Sequence, residues 1–576
     1  MAPNGPQSGS DVATATPMPW LSRYPDGVDW NMALDVAPLY RLLDDAVQRH
    51  GPLTCTVFLG KTLSYADIGR LVDEVAAGLQ RLGVRKGTKV GLFLPNTPTF
   101  IVYFFAVLKA GGTVVNFNPL YTVSELAGQI KDSDTELMIT LDLKVLFDKI
   151  DALLQSEVLP RAVVCSFTAL LPGAKAALFR MFKSKDLARP LQSPARDRIV
   201  KEGDLVVAGG KPARLPIDPK NDVAVLQYTG GTTGTPKGAM LTHANIYINV
   251  QQVAAWAPEL VDGKERVLGI LPFFHVFALT VVMNFGIAKG AEIIIMPRFA
   301  LDDALNLIDK SHPTVMPGVP TLFNALMNHP KIKSYDLSSL KFCLSGGAAL
   351  PVEVKQRFEA ITGCKVVEGY GLSETSPVAA VNPLNGPVKA GSIGLPLPAT
   401  TISLRDLAEP AREVPQGEKG EICIKGPQVM LGYYKRPQET ADQMVGEFLR
   451  TGDVARMDEE GFFFIEDRIK DLIICSGFNV YPRRIEEAIY EHPAVAEVTV
   501  IGIRDAKRGE APKAFVKLRP GATARTEDIF EHLKTLISKI EMPAAIEFRD
   551  ELPKTMIGKL SKKELKAEED ARQAKA

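Results

Sequence analysis

The sequence predicts an α/β protein. A large N-terminal domain of helix-covered mixed sheets with a small distorted β-barrel precedes a small α+β C-terminal domain. Three observations predict it. Helix-like and strand-like segments alternate from Leu42 to about residue 150 and again from 292 to 344. Residues 391–466 then turn β-rich between Gly/Pro turns. The charged run Asp467-Arg468-Ile469-Lys470-Asp471 finally divides two apolar segments and marks a boundary.

Residues 65–82 read as an amphipathic helix, 89–94 as a strand, 97–110 as an apolar helix and 113–116 as a buried strand. Asn118 to Tyr121 reads as a turn into a capped helix at Ser124-Glu125. Further strands are expected at 223–226, 292–296, 314–317, 340–344, 401–404 and 420–425, with a helix at 301–310. Beyond the charged run, helices at 485–490 and 527–537 with strands at 495–503 and 514–518 form a unit long enough for its own core. The domains are therefore a lead-in at 1–40, partly disordered, a main domain at 41–466, a connector at 467–471 and a C-terminal domain at 472–576.

Lys plus Arg equals Asp plus Glu at 67 each, so net charge points to no polyanion, and no nucleic-acid partner is expected. Six scattered cysteines lack zinc or C-x-x-C spacing and read as thiols in a reducing, cytoplasmic setting. The polar start has no basic n-region or apolar core, so it is not a signal peptide. Residues 267–288 lack charge but contain Pro272, His275 and Asn284. They fit a buried strand, loop and helix better than a membrane span.

Residues 166–203 break the α/β rhythm. Leu170, Leu171, Leu178, Phe179 and Phe182 can share one face, with Lys175, Arg180, Lys183, Lys185 and Arg189 around them. Such a segment either lies on an anionic membrane surface, at the inner face, or is a solvated insertion.

The chemistry concentrates after the 223–226 strand. Residues 228–242 carry four glycines, Thr229, Thr232, Thr233, Thr235 and Lys237 before the closing Thr242. Glycines bring backbone N–H groups close to a ligand, hydroxyls add donors and Lys237 adds charge, which suits a polyphosphate. The order Lys237-Gly238 with alanine following is not that of a Walker A loop. Elsewhere, Glu374 beside hydroxyls could bind magnesium, and Tyr370 between Gly369 and Gly371 could lie against a base. Asp453, in Thr451-Gly452-Asp453, suits the two hydroxyls of a ribose or a plain Asx turn.

Tyr228 to Gly238 resembles the phosphate loop of the adenylate-forming superfamily of acyl-CoA synthetases, peptide-synthetase adenylation domains and luciferase. The resemblance spans about residues 40 to 570 and lies nearest the bacterial long-chain-fatty-acid–CoA ligases. It implies Mg²⁺, with ATP and CoA as cosubstrates, and ATP-dependent activation of a fatty acid to acyl-AMP before transfer to CoA. Thr229, Gly230, Gly231, Thr232, Thr233, Gly234 and Lys237 would hold phosphate. Gly369, Tyr370, Gly371, Thr375, Asp453 and Arg468 would hold the nucleoside. Glu374 and Thr232 would serve the metal, and Lys559 would enter the site for adenylation with Glu374 and His275. His275, Val319, Ser345, Gly346 and Gly347 would line the acyl pocket. Lys470 would be the hinge of a mobile C-terminal lid, and Ser476, Gly477 and Phe478 would border the CoA channel. Two departures are Leu472-Ile473-Ile474, where a lysine often follows the hinge, and Leu279 in place of a gating tryptophan. An aryl-CoA ligase, an enzyme loading a carrier protein and a non-catalytic lipid-binding protein are the alternatives. A homodimer is the expected assembly.

Overall fold

The computed structural model describes residues 18–229, 236–505, 507–555 and 558–573. Two sheets form the body of the large domain. One has seven strands in the order Ile199–Lys201, Arg161–Cys165, Leu137–Leu141, Lys89–Leu92, Thr113–Asn116, Val223–Thr229 and Lys237–Thr242. Only its last pair is antiparallel. The other has nine strands, parallel from Thr54–Phe58 to Lys365–Gly371 and antiparallel at both edges. Strands covered on both faces must be apolar throughout, and the 113–116 and 137–141 strands are buried at every position.

The helix Pro98–Lys109 is apolar all round and buries every residue from Pro98 to Leu108, as a helix enclosed by sheets must. Ser64, Thr122 and Thr242 each close a capping box on the helix that follows. The cap of the Val123–Ser133 helix is thus Thr122, with Glu125 answering it, two residues earlier than Ser124 suggested.

Three stretches depart from the sequence expectations. Residues 18–40 belong to the large domain: Trp20 is buried, Tyr24 donates to Pro396 O at 2.5 Å and Trp30 to Thr400 O at 3.1 Å. The β-rich stretch forms a five-stranded antiparallel sheet that does not close among the described residues: the long Phe448–Met457 strand is shared by three neighbours, and the outer sides of the edges meet only single bridges, Arg405 with Glu413 and Phe463 with Gly394. Residues 166–203 form a ten-residue helix, Gly173–Phe182, flanked by 3-10 turns rather than one long amphipathic element.

That helix presents its faces differently from the sequence expectation. Leu171 and Ala176 are buried and the Phe179 ring sits 5.1 Å from Phe167, whereas Leu178, Met181 and Phe182 are exposed at 51, 65 and 69%. Lys175 donates to Leu59 O and Arg180 to Thr168 Oγ1, which ties both cations to the body.

The small domain has its own apolar cluster, from Ile473 to Ile537, while the last fully buried residue of the large core is Phe463. Its sheet runs Phe478–Val480, Ile473–Cys475, Gly509–Leu518 and Val495–Asp505, with Ala545–Phe548 added in parallel to the Gly509–Leu518 strand. No helix among the described residues is long and apolar enough to cross a membrane.

Candidate active site

Buried amides aim the phosphate hairpin. Asn116 donates to Gln227 Oε1 at 3.0 Å, and Gln227 in turn donates to Phe274 O at 3.0 Å. From the other side Asn96 donates to Leu271 O at 2.8 Å and accepts from Phe273 N at 2.7 Å. Buried amide hydrogen bonds of this kind lock a register that apolar packing alone leaves loose, although Asn116 Oδ1 itself has no partner among the described residues. They fix the His275 loop against the strand that carries Thr229, whose hairpin partner is Lys237. Gly230, Gly231, Thr232, Thr233 and Gly234 lie outside the described residues. Lys237 Nζ pairs with Glu439 Oε2 at 2.5 Å and sits 5.2 Å from the centre of the Tyr433 ring.

A second wall comes from the hairpin of Lys365–Gly371 and Val378–Val381. Tyr370 OH donates to Asp453 Oδ2 at 2.6 Å, and Arg468 Nε donates to Asp453 Oδ1 at 2.9 Å. Asp453 and Arg468 are cross-strand neighbours, so two sheets bring together the three groups expected at the nucleoside. Gly371 must be glycine, since a methyl group there would fall 1.8 Å from Pro377 O. Thr375 differs from its expected role: its hydroxyl accepts from Leu372 N and donates to Pro377 O, so it closes the turn and faces no ligand. Glu374, on the same turn, accepts from Tyr433 OH at 2.7 Å.

Lys559 reaches this wall from the small domain. A methyl group on Gly347 would lie 2.7 Å from Lys559 Cε and 3.9 Å from Val319 Cγ1, and Gly347 has φ +81°. Glycine is needed there for both the backbone and the lysine, so a side chain would displace Lys559 rather than merely narrow a tunnel. Burial, then the Arg468 charge, push the Lys559 ammonium down from 10.5 to about 8, against a smaller pull from Asp453. His275 is held at about 3 by burial and by Lys559, so it is neutral, with Nδ1 accepting from Phe277 N at 3.3 Å. Gly346 leaves room for the Phe277 ring, which would sit 3.0 Å from an added methyl group. Ser345 is buried at the end of the same strand. The expected acyl-pocket residues therefore cluster around Lys559 and Phe277.

Contacts between the domains, which the sequence did not reveal, hold Lys559 in place. Thr321 donates to Gly558 O at 2.5 Å, Asn324 to Ala496 O at 2.9 Å, and Arg519 pairs with Glu353 at 2.8 Å. Buried Glu368, raised by burial to about 7, faces the Arg483 charge of the small domain. Lys470 lies in the 3-10 turn Ile469–Asp471 between the domains. Ser476, Gly477 and Phe478 are not brought to the site: Phe478 is 65% exposed, on the sheet edge opposite the strand that Lys554 joins through Glu497.

Models of two families match the chain: AMP-binding enzyme over residues 43–434, and AMP-binding enzyme C-terminal domain over 484–559. The chain belongs to the AMP-binding enzyme family. This AMP-binding enzyme is 45% identical over 558 residues to a long-chain-fatty-acid–CoA ligase of Bacillus subtilis, covering 96% of this chain and 98% of that one. A ligase of the same name from Escherichia coli O6:H1 is 38% identical, at 95 and 98% coverage. Among solved structures, ATP-bound MatB from Rhodopseudomonas palustris superposes with a TM-score of 0.79 at 28% identity, covering 93% of this chain and 100% of that one.

Among the described residues no three His, Cys, Asp or Glu side chains cluster as a resident metal site. Glu374, the carboxylate expected to serve a metal, is linked to Lys237 through the Tyr433 ring.

The Lys559 environment predicts a pH signature. The ammonium is the form that stabilises anionic oxygens, and in the free enzyme it is lost as pH rises through about 8. The kcat/KM for adenylation should therefore fall on the basic side with a midpoint near that value. Lys559→Arg, which stays charged, should lack that limb. A limb unchanged in Lys559→Arg would assign it to another group.

Proposed function

We propose that this AMP-binding enzyme activates a fatty acid with ATP and passes the acyl group to CoA, with medium and long chains favoured. The convergence of Lys559 on Gly347, beside the Tyr370–Asp453–Arg468 cluster, carries the reading. Asp453 and Arg468 hold the ribose, the Tyr370 ring lies against adenine, and Lys237 with the preceding loop holds the phosphates. The carboxylate oxygen attacks the α-phosphorus, the bond to the β-phosphate oxygen breaks and pyrophosphate leaves. Lys559 stabilises charge on the α-phosphate and carboxylate oxygens without moving a proton. Magnesium, when bound, neutralises polyphosphate charge beside Glu374. Rotation about Lys470 then withdraws Lys559 and brings up the 476–478 hairpin. The CoA sulfur attacks the acyl carbon, its proton is lost and AMP departs.

The walls proposed for the acyl chain, Val319, Gly346 and Gly347 beside Phe277, are apolar. Two residues before Gly346, Leu344 lines a cavity of about 30 Å³ with Trp256, Val281, Phe285 and Pro317. The segment above it, Leu279–Asn284, is a π-helical turn, a form common at functional sites. Each buried methylene adds about 0.8 kcal/mol until the space is filled. In a panel of carboxylates assayed for CoA-dependent AMP release, kcat/KM should rise with chain length and level off at decanoate or longer. A preference for benzoate or coumarate would reassign the enzyme to aryl acids with the adenylation site intact.

The reading extends to a cytoplasmic enzyme, working as a homodimer, that meets its substrate at the inner membrane surface. Ala174, Ala177, Leu178, Met181 and Phe182 are all exposed along one face of their helix, beside exposed Lys183, Lys185 and Arg189. Each cation contributes about 1 kcal/mol near an anionic surface, screened by salt. The protein should pellet with phosphatidylglycerol vesicles at low salt and be released at high salt. Leu178→Ser with Met181→Ser and Phe182→Ser should weaken pelleting several-fold at unchanged activity on soluble substrate. Equal pelleting would leave the segment a solvated insertion.

A further inference from the structure

Glu374 is anchored through both its backbone and its side chain. Its carbonyl accepts from Met430 N at 2.8 Å, and its Oε1 accepts from Tyr433 OH at 2.7 Å. Tyr433 has little freedom of its own. The residue is buried, and its N–H donates to Thr440 Oγ1 at 2.8 Å. The flanking backbone is stitched to the phosphate hairpin, with Met240 N donating to Gly432 O and Tyr434 N to Gly238 O, both at 2.8 Å. An isolated bridge joins Tyr433 to Ala239 on that hairpin. The same ring underlies Lys237, whose ammonium is held by Glu439. One tyrosine therefore touches the two charged groups that a metal–polyphosphate would meet.

We propose that Tyr433 is a positioning residue for the adenylation step: its hydroxyl fixes the Glu374 carboxylate through one oxygen and leaves the other for the divalent cation carried by the nucleotide. The inference rests on the reading of Glu374 as the cation's ligand. A flexible glutamate must surrender side-chain freedom when it takes a metal, and an orienting hydrogen bond removes that cost beforehand. Groups that orient metal ligands govern affinity by about 10- to 100-fold in other sites. A single neutral donor places Tyr433 at the low end.

The test compares wild type, Tyr433→Phe and Glu374→Gln. Two readouts are taken: the Mg²⁺ dependence of ATP–pyrophosphate exchange, and Mn²⁺ binding by electron paramagnetic resonance with a non-hydrolysable ATP analogue. Thermal midpoints accompany both. Tyr433→Phe should raise half-saturating Mg²⁺ and weaken Mn²⁺ binding by about tenfold, with the exchange rate recovered at high Mg²⁺ and an unchanged midpoint. If Glu374→Gln shifts the metal dependence and Tyr433→Phe behaves as wild type, the inference falls while the Glu374 reading stands. If neither variant shifts it, the Glu374 reading falls and takes the inference with it. A Tyr433→Phe that loses exchange at every Mg²⁺ concentration with unaltered half-saturation makes the tyrosine purely structural, which also overturns the proposal.

Discussion

A partly buried cation without an ion pair among the described residues, Lys559, is the constraint on which the proposed chemistry depends. The neighbouring charge of Arg468 opposes it. The fall from 10.5 to about 8 corresponds to roughly 3 kcal/mol against the charged form. Such a penalty is tolerable only if something else seats the small domain, and the contacts from Thr321, Asn324 and Glu353 do so. An anionic α-phosphate and carboxylate arriving beside Gly347 would supply the missing partner. Ligand-free docking is thus costly, whereas docking over ATP and a carboxylate is favoured. In the proposed cycle the same imbalance would let the domain leave once pyrophosphate and its charge have gone.

The large domain works as a fixed frame for that event. Its functional side chains stand at strand ends and hairpins, where open α/β sheets place ligands. Strand pairing, parallel at Ser345 and antiparallel at Thr229 and Tyr370, sets these positions by hydrogen-bond register rather than by loop flexibility. At the site, Gly347 and Gly371 are positions where a neighbouring side chain or backbone comes too close for any Cβ. The acyl side follows a different rule, with neutral His275, Phe277 and the cavity beneath Leu344 presenting almost no charge.

Most of this frame was legible in the sequence, because buried parallel strands and enclosed helices leave long apolar runs and glycine clusters leave turns. The 113–116 strand lies where those signals put it. What escaped was non-local. Trp20 reads as part of a Pro-rich lead-in, and only the fold supplies the core that buries it. Leu178 and Phe182 share helical spacing with Leu171 and Phe179, yet the body selects the latter pair, so periodicity could not say which face points inward. Thr375 carries the right side chain in the right motif, but a turn consumes its hydroxyl. Tyr433 and Glu439 lie more than fifty residues from Glu374 and about two hundred from Lys237. Nothing in the spacing of Gly432-Tyr433-Tyr434 marks them as neighbours of the phosphates.

The central claim is that Lys559 serves one chemical step and is withdrawn for the other. Measuring the two half-reactions separately in Lys559→Ala tests it most directly. Acyl-AMP formation from ATP and a fatty acid should nearly vanish, while thioester formation from supplied acyl-AMP and CoA should proceed at close to the wild-type rate. Equal loss of both half-reactions in a variant of unchanged thermal midpoint would contradict the account.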